Sequence, residues 1–294
     1  MNELPDVVTE ESAGTTRRRP SRTRLILAAF VAAPLLWLLW QLITWPNVQT
    51  LAHTNPASTA FMRRDARKNG TATPPLQWAA YDRLSPHLKR AALVSEDINF
   101  FTHDGFDRGE IKKAIEEARR DNESPRGAST ITQQLAKNLW LSPARTPIRK
   151  LKEVLLTRQM EQHLEKRRIL EIYLNVVEFG PGVWGAPAAA EKYFGTSAAG
   201  LSERQASELI AGLPRPSVWH PGSTSKTYRR RIERINSRMN KASFLWRQIG
   251  GRGTEPEPAP ETPPEPAPAP LDFEPPVDLT PPAPGQPDTL SAPN

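Results

Sequence analysis

The sequence predicts a mainly α-helical domain carried on a single N-terminal transmembrane helix and followed by a disordered proline-rich tail. Three observations carry that expectation. Segments with apolar residues three and four positions apart succeed one another from Pro86 to about Asn240, with no convincing alternating strands. Leu25 to Trp45 is an apolar run without a charge. Beyond Gly250 the chain is dominated by Pro, Glu and Ala and has almost nothing to bury.

Taken in order, residues 1–24 are polar and end in Arg17, Arg18, Arg19, Arg22 and Arg24. The run 25–45 is long enough for a bilayer core of about 30 Å, and Trp37, Trp40 and Trp45 gather toward its far end, where interfacial tryptophans sit. Ala32-Ala33 is a faint cleavage signal, but the apolar run continues well past it, which favours an uncleaved anchor. The arginines hold 1–24 in the cytoplasm, so everything after Trp45 is expected outside. Residues 46–75 read as a juxtamembrane linker whose cationic stretch Phe61 to Lys68 suits either anionic head groups or solvent. The folded domain is expected over 76–245 and the tail over 250–294.

Within the domain, Ser85-Pro86 is an N-cap followed by proline at the first helical position, predicting a helix from Pro86 to about Asp97 with Leu88, Ala91, Ala92 and Ser95 on one face. Ile111, Ala114, Ile115 and Ala118 mark the next helix. Thr146-Pro147 opens a long one with two apolar stripes, Ile148, Leu151 and Leu155 on one side and Leu156, Met160 and Leu164 on another. Lys166 to Leu174 continues the pattern, Ala186 to Phe194 stops at Gly195, and Ser202 with Gln205 forms a capping box before a helix ending near Gly212.

Charge is unevenly distributed along the 294 residues. The tail after Gly250 holds eight acids and one base, Arg252, which leaves 38 basic against 24 acidic side chains, net +14, in the first 250 residues. Such a body favours a polyanion or an anionic membrane surface. Nucleic acid fits poorly, given the outward topology and the lack of an aromatic-basic stacking pattern. The chain has no cysteine, which excludes disulfides and thiolate metal sites.

Three stretches carry candidate chemistry. Glu96 and Asp97 end a core-facing helix and run into Phe100, His103 and Gly105, placing charge where packing favours none. Gly127 to Asn138 crowds small and hydroxyl residues at a helix start, where free N–H groups favour an anion. Gln133, Gln134 and Lys137 share a face there. Arg145, Arg149 and Lys150 form a cationic wall around a second carboxylate, Glu153, an arrangement that suits a negatively charged leaving group, although Arg149 and Glu153 also match an ordinary i,i+4 ion pair. Ser223 to Lys226 matches the S-x-x-K acyl-transfer pattern by chance, because no companion element follows.

Together these stretches resemble the peptidoglycan glycosyltransferases, glycosyltransferase family 51, in their single-domain, membrane-anchored form. Glu96-Asp97 with Phe100, His103 and Gly105 looks like the first family motif. Gly127 to Gln134 with Lys137-Asn138 looks like the second, and Arg149-Lys150 with Glu153 the third. Lys166 to Asn175 with Phe179-Gly180 and Gly185-Ala186 resembles the fourth, and Leu201 to Pro214 the fifth. The resemblance covers about residues 75–240. It implies a lysozyme-like domain on the outer face of the cytoplasmic membrane that polymerises lipid II into β-1,4-linked glycan and expels undecaprenyl pyrophosphate. By matching position, Glu96 is then the general base. Glu153 assists the leaving group, either by holding a divalent cation (Mg2+ or Mn2+) or by orienting cationic side chains. Lys137, Arg145 and Lys150 neutralise the diphosphate, Ser129, Thr130 and Gln134 position it or its sugar, and Asp97, Asn138 and Arg149 are further substrate-binding residues. The implied partners are lipid II, the growing glycan strand, membrane lipids and other cell-wall synthesis or division proteins, with no organic cofactor. Nothing after Asn240 looks like a penicillin-binding domain, so transpeptidation is not expected. The nearest competing readings are a lytic or lysozyme-like glycosidase and a catalytically inert binder of glycan precursors.

Overall fold

The computed structural model describes residues 22–121, 129–144 and 146–250. The N-terminal segment before Arg22, residues 122–128, Arg145 and the expected tail from 251 lie outside the described residues. The described chain is mainly helical: α1 (Arg22–Ile43), α2 (Ala60–Asn69), α3 (Pro86–Glu96), α4 (Arg108–Asp121), α5 (Ile131–Trp140), α6 (Pro147–His163), α7 (Lys166–Val176), α8 (Ala186–Phe194), α9 (Glu203–Gly212), α10 (Lys226–Lys241) and α11 (Leu245–Ile249). Between α7 and α8 lies a two-stranded antiparallel hairpin, β1 (Glu178–Gly180) and β2 (Val183–Trp184), which the sequence did not signal.

Most helices start where an N-cap side chain satisfies a free N–H of the first turn. Ser85 accepts from His87 N–H, Thr146 from Arg149 N–H and Thr59 from Met62 N–H. Thr130 with Gln133 and Ser202 with Gln205 complete capping boxes. The S-x-x-K lookalike is also a cap, since Ser225 accepts from Tyr228 N–H at the head of α10.

The core lies where α3, α5, α7 and α9 meet. Leu88, Ala91, Ala92 and Leu93 of α3 are fully buried, as are Ile131 and Leu135 of α5, Ile169 to Leu174 of α7 except half-buried Glu171, and Leu209 and Ile210 of α9. The α3 helix packs on α9 and α10, and α5 packs on α6 and α7. At Gly185, φ is +83° and a Cβ would stand 2.4 Å from the Asn175 carbonyl oxygen, so the close approach of the α8 start to α7 requires glycine.

One expectation differs from the fold. Residues 46–75, expected as a linker, contain α2 with Met62 and Ala66 buried, and α2 packs on α5. The two stripes of α6 also have unequal fates. Leu156, Met160 and Leu164 enter the core, whereas Ile148, Leu151 and Leu155 stay exposed.

The span expected at 25–45 is only partly supported. The helix α1 forms over that stretch with Ile26, Phe30, Leu35, Leu36 and Trp40 exposed, yet among the described residues no helix is long and apolar enough to cross a membrane.

Candidate active site

Glu96 occupies the last turn of α3, and three donors converge on its carboxylate. Ser95 Oγ donates to Oε1 at 2.9 Å, Arg231 of α10 to Oε1 at 2.8 Å, and Gln134 Nε2 of α5 to Oε2 at 3.1 Å. The carboxylate is thus held as an acceptor, the form that proton abstraction needs. Its side chain keeps 12% of its surface accessible and opens on a cleft of about 550 Å³ lined also by Ser129, Thr130, Glu110, Arg238 and Phe244.

Asp97, the neighbouring acid, is spent on structure. Its Oδ2 accepts from Ile131 N–H at the first turn of α5 and its Oδ1 meets His103 Nε2 at 2.9 Å. His103 Nδ1 accepts from Gly105 N–H, so Nε2 carries the proton that goes to Asp97. Thr130 is buried as well, capping α5 and donating to the Gly105 carbonyl. The first and second sequence stretches are thus stitched together, and the stitching fixes the start of the helix that carries Gln134, Lys137 and Asn138.

Gln134 joins two clefts. Its Nε2 donates to Glu96 in the first, and its Oε1 accepts from Tyr173 OH at 3.0 Å. With Lys137, Asn138, Tyr173, Glu178 and Arg215 it lines a second cleft of about 460 Å³. Burial pushes the Tyr173 hydroxyl well above its usual range, reinforced by Glu96 and Asp97, so it stays a donor. Asn138 Nδ2 is turned back to the Gln134 carbonyl.

Lys137 stands within electrostatic reach of both glutamates. Burial lowers its pKa, Arg149 and Lys150 push the same way, and Glu153 and Glu96 oppose them. Glu153, 3% accessible, accepts from Arg149 Nη1 and from Lys150 Nζ, at 2.5 Å each. The ion-pair reading of Arg149 and Glu153 therefore holds, with Lys150 as a third member.

The structure thus gathers Glu96, Gln134 and Lys137, with Glu153, Arg149 and Lys150 adjoining, and leaves Ser129 exposed at the rim of the Glu96 cleft. Arg145 lies outside the described residues. Sequence reasoning missed Arg231, Tyr173 and Glu178 as site residues. Tyr173 and Glu178 stood inside or beside a quoted motif, whereas Arg231 was one of several arginines on α10, where Arg229 and Arg230 are exposed and Arg231 is half-buried.

A chain with this arrangement has many relatives. The biosynthetic peptidoglycan transglycosylase of Chromobacterium violaceum is 43% identical over 221 residues, covering 73% of this chain and 94% of that protein. The protein of the same name from Herminiimonas arsenicoxydans is 45% identical over 226 residues, covering 75% and 98%. The one from Nitrosospira multiformis is 40% identical over 227 residues, covering 76% and 96%. The transglycosylase family model matches residues 66–240, a stretch from within α2 to the end of α10, and the chain belongs to that family.

Proposed function

We infer that the chain is a peptidoglycan glycosyltransferase that polymerises lipid II into β-1,4-linked glycan strands and releases undecaprenyl pyrophosphate. The observation that carries this reading is the pairing across Gln134 of an acceptor-held carboxylate, Glu96, with a cationic group, Lys137, backed by Arg149 and Lys150. A base and a pyrophosphate cradle side by side suit glycosyl transfer from a diphospholipid. Hydrolysis of finished glycan needs no such cradle.

In this reading Glu96 takes the proton of the acceptor sugar's 4-hydroxyl as that oxygen attacks the anomeric carbon of the donor. The bond from that carbon to the diphosphate breaks with inversion, and the departing oxygen takes the electron pair. Lys137, Arg149 and Lys150 stabilise the charge that develops there. Asp97 and Thr130 serve by holding α5 in place, and Ser129 and Asn138 border the substrate.

The residues around Glu153 do not fit a resident divalent cation. Both of its oxygens already accept from cationic side chains, and among the described residues no group of three or more His, Cys, Asp or Glu could share an ion. Glu153 instead orients Arg149 and Lys150.

We also propose that α1 anchors the chain in the cytoplasmic membrane, with the catalytic domain outside. The reading is supported by the exposed apolar side chains of α1 and by the exposed Ile148, Leu151 and Leu155 of α6. The end of α1 meets α6, where Lys152 Nζ donates to Gln41 and Trp45 Nε1 donates to Gln159.

Purified chain incubated with labelled lipid II is expected to yield polymer, and Glu96→Gln to lower the rate by about a hundredfold to ten-thousandfold while lipid II binding persists. Fragments from finished glycan in place of polymer, or a Glu96→Gln enzyme with most of its activity, would overturn the reading.

A further inference from the structure

The second cleft contains a carboxylic acid that the mechanism does not use. We propose that Glu178 is a substrate-positioning residue whose protonated carboxyl donates a hydrogen bond to an uncharged oxygen, hydroxyl or N-acetyl carbonyl, of the sugar seated in the cleft that Lys137 also lines. This rests on the polymerase reading and deepens it.

The geometry is specific. Glu178 opens β1 and faces a cleft of about 460 Å³, within the usual range for small-ligand sites. Three other polar side chains of that wall are engaged with one another or with Glu96. Gln134 is held between Glu96 and Tyr173, Tyr173 OH donates to Gln134, and Asn138 Nδ2 returns to the Gln134 carbonyl. Among the described residues the Glu178 carboxyl has one hydrogen bond, a long one of 3.4 Å from Gly182 N–H, so most of its capacity is unspent. Lys137, the cation expected at the diphosphate, lines the same cleft, so a ligand whose diphosphate meets Lys137 brings its sugar within that cleft.

Burial raises the Glu178 carboxyl to about pKa 7, opposed by the Gly182 N–H and reinforced by Asp65 of α2. The other titratable and charged groups around it are Lys137 of α5, Tyr173 of α7, Tyr193 of α8 with His220 stacked on its ring, and Arg215 after α9. A protonated carboxyl donates as well as accepts and carries no charge to repel a diphosphate. An ionised one only accepts. The hydrogen bond that Glu178 donates to the sugar is therefore present below about pH 7 and is lost as pH rises through that value. Burial also lowers the Lys137 pKa, but any titration of that ammonium acts equally on variants at 178.

The test measures KM and kcat for purified lipid II with the full chain in liposomes between pH 6 and pH 8. For wild type, KM should rise several-fold across that interval. E178Q, which keeps a neutral donor and acceptor, should match the wild-type pH 6 KM within about twofold and remain flat. E178A should raise KM at pH 6 by about tenfold, the loss of one good hydrogen bond, with kcat little changed. A wild-type KM in E178A at pH 6, or an E178Q enzyme that follows the wild-type pH curve, overturns the assignment. No polymer from the wild-type chain would sink the polymerase reading itself, whereas polymer from wild type with either of those results sinks Glu178 alone.

Discussion

Arg231 reaches Glu96 from 135 positions further along the chain, and its side chain also bonds Ser95. In the proposed role, a base that must meet one hydroxyl gains from being held by a charge-assisted bond, which is worth about 1.5–3 kcal/mol. Arg231→Ala should lower kcat/KM by roughly tenfold to a hundredfold, and Arg231→Lys should recover part of the loss because an ammonium keeps the charge but not the fork. Steady-state polymerisation of lipid II checks both. Arg231 was invisible in the sequence, since nothing local distinguishes it from its exposed neighbours Arg229 and Arg230. Glu96 and Lys137 were legible because acids and amines at the ends or faces of core helices violate packing preference. Their link through Gln134 was not, because hydrogen bonds between residues 38 positions apart leave no periodic trace.

At the scale of elements, the decisive joint is the start of α5. Asp97, Thr130, Gln133 and His103 together fix its first turn. Asp97→Ala removes a buried carboxylate that satisfies both a helix N–H and a histidine, and should cost on the order of 2–3 kcal/mol in a denaturant titration. Activity should fall further than stability, because α5 carries Gln134 and Lys137. The helix starts were readable because capping is local chemistry: Ser85-Pro86, Thr146-Pro147 and the pair Ser202 and Gln205 were expected and found. The α2 helix was overlooked because its charges hid the spacing of Met62 and Ala66, four apart on one buried face. The hairpin was overlooked because its strands, three and two residues long, are too short to show alternation.

At the scale of the whole molecule, a body of net +14 over its first 250 residues and an unpartnered apolar stripe on α6 belong together. The period of Ile148, Leu151 and Leu155 was readable, but its destination was not, because periodicity marks an apolar face without saying what covers it. Replacing all three with serine should leave the melting temperature nearly unchanged, since exposed side chains contribute little to folding. It should weaken flotation with vesicles containing anionic lipid and slow polymerisation of lipid II in those vesicles more than in detergent.

In the proposed mechanism Gln134 also has a consequence for where the captured proton goes. A side-chain amide is neither acid nor base at ordinary pH, so the link from Tyr173 through Gln134 to Glu96 conducts no proton and works as an insulator. Arg231 on the other flank cannot accept one either. With Glu96 as the proposed base, the open mouth in front of it is then the way out for the hydrogen ion of each cycle of chain growth.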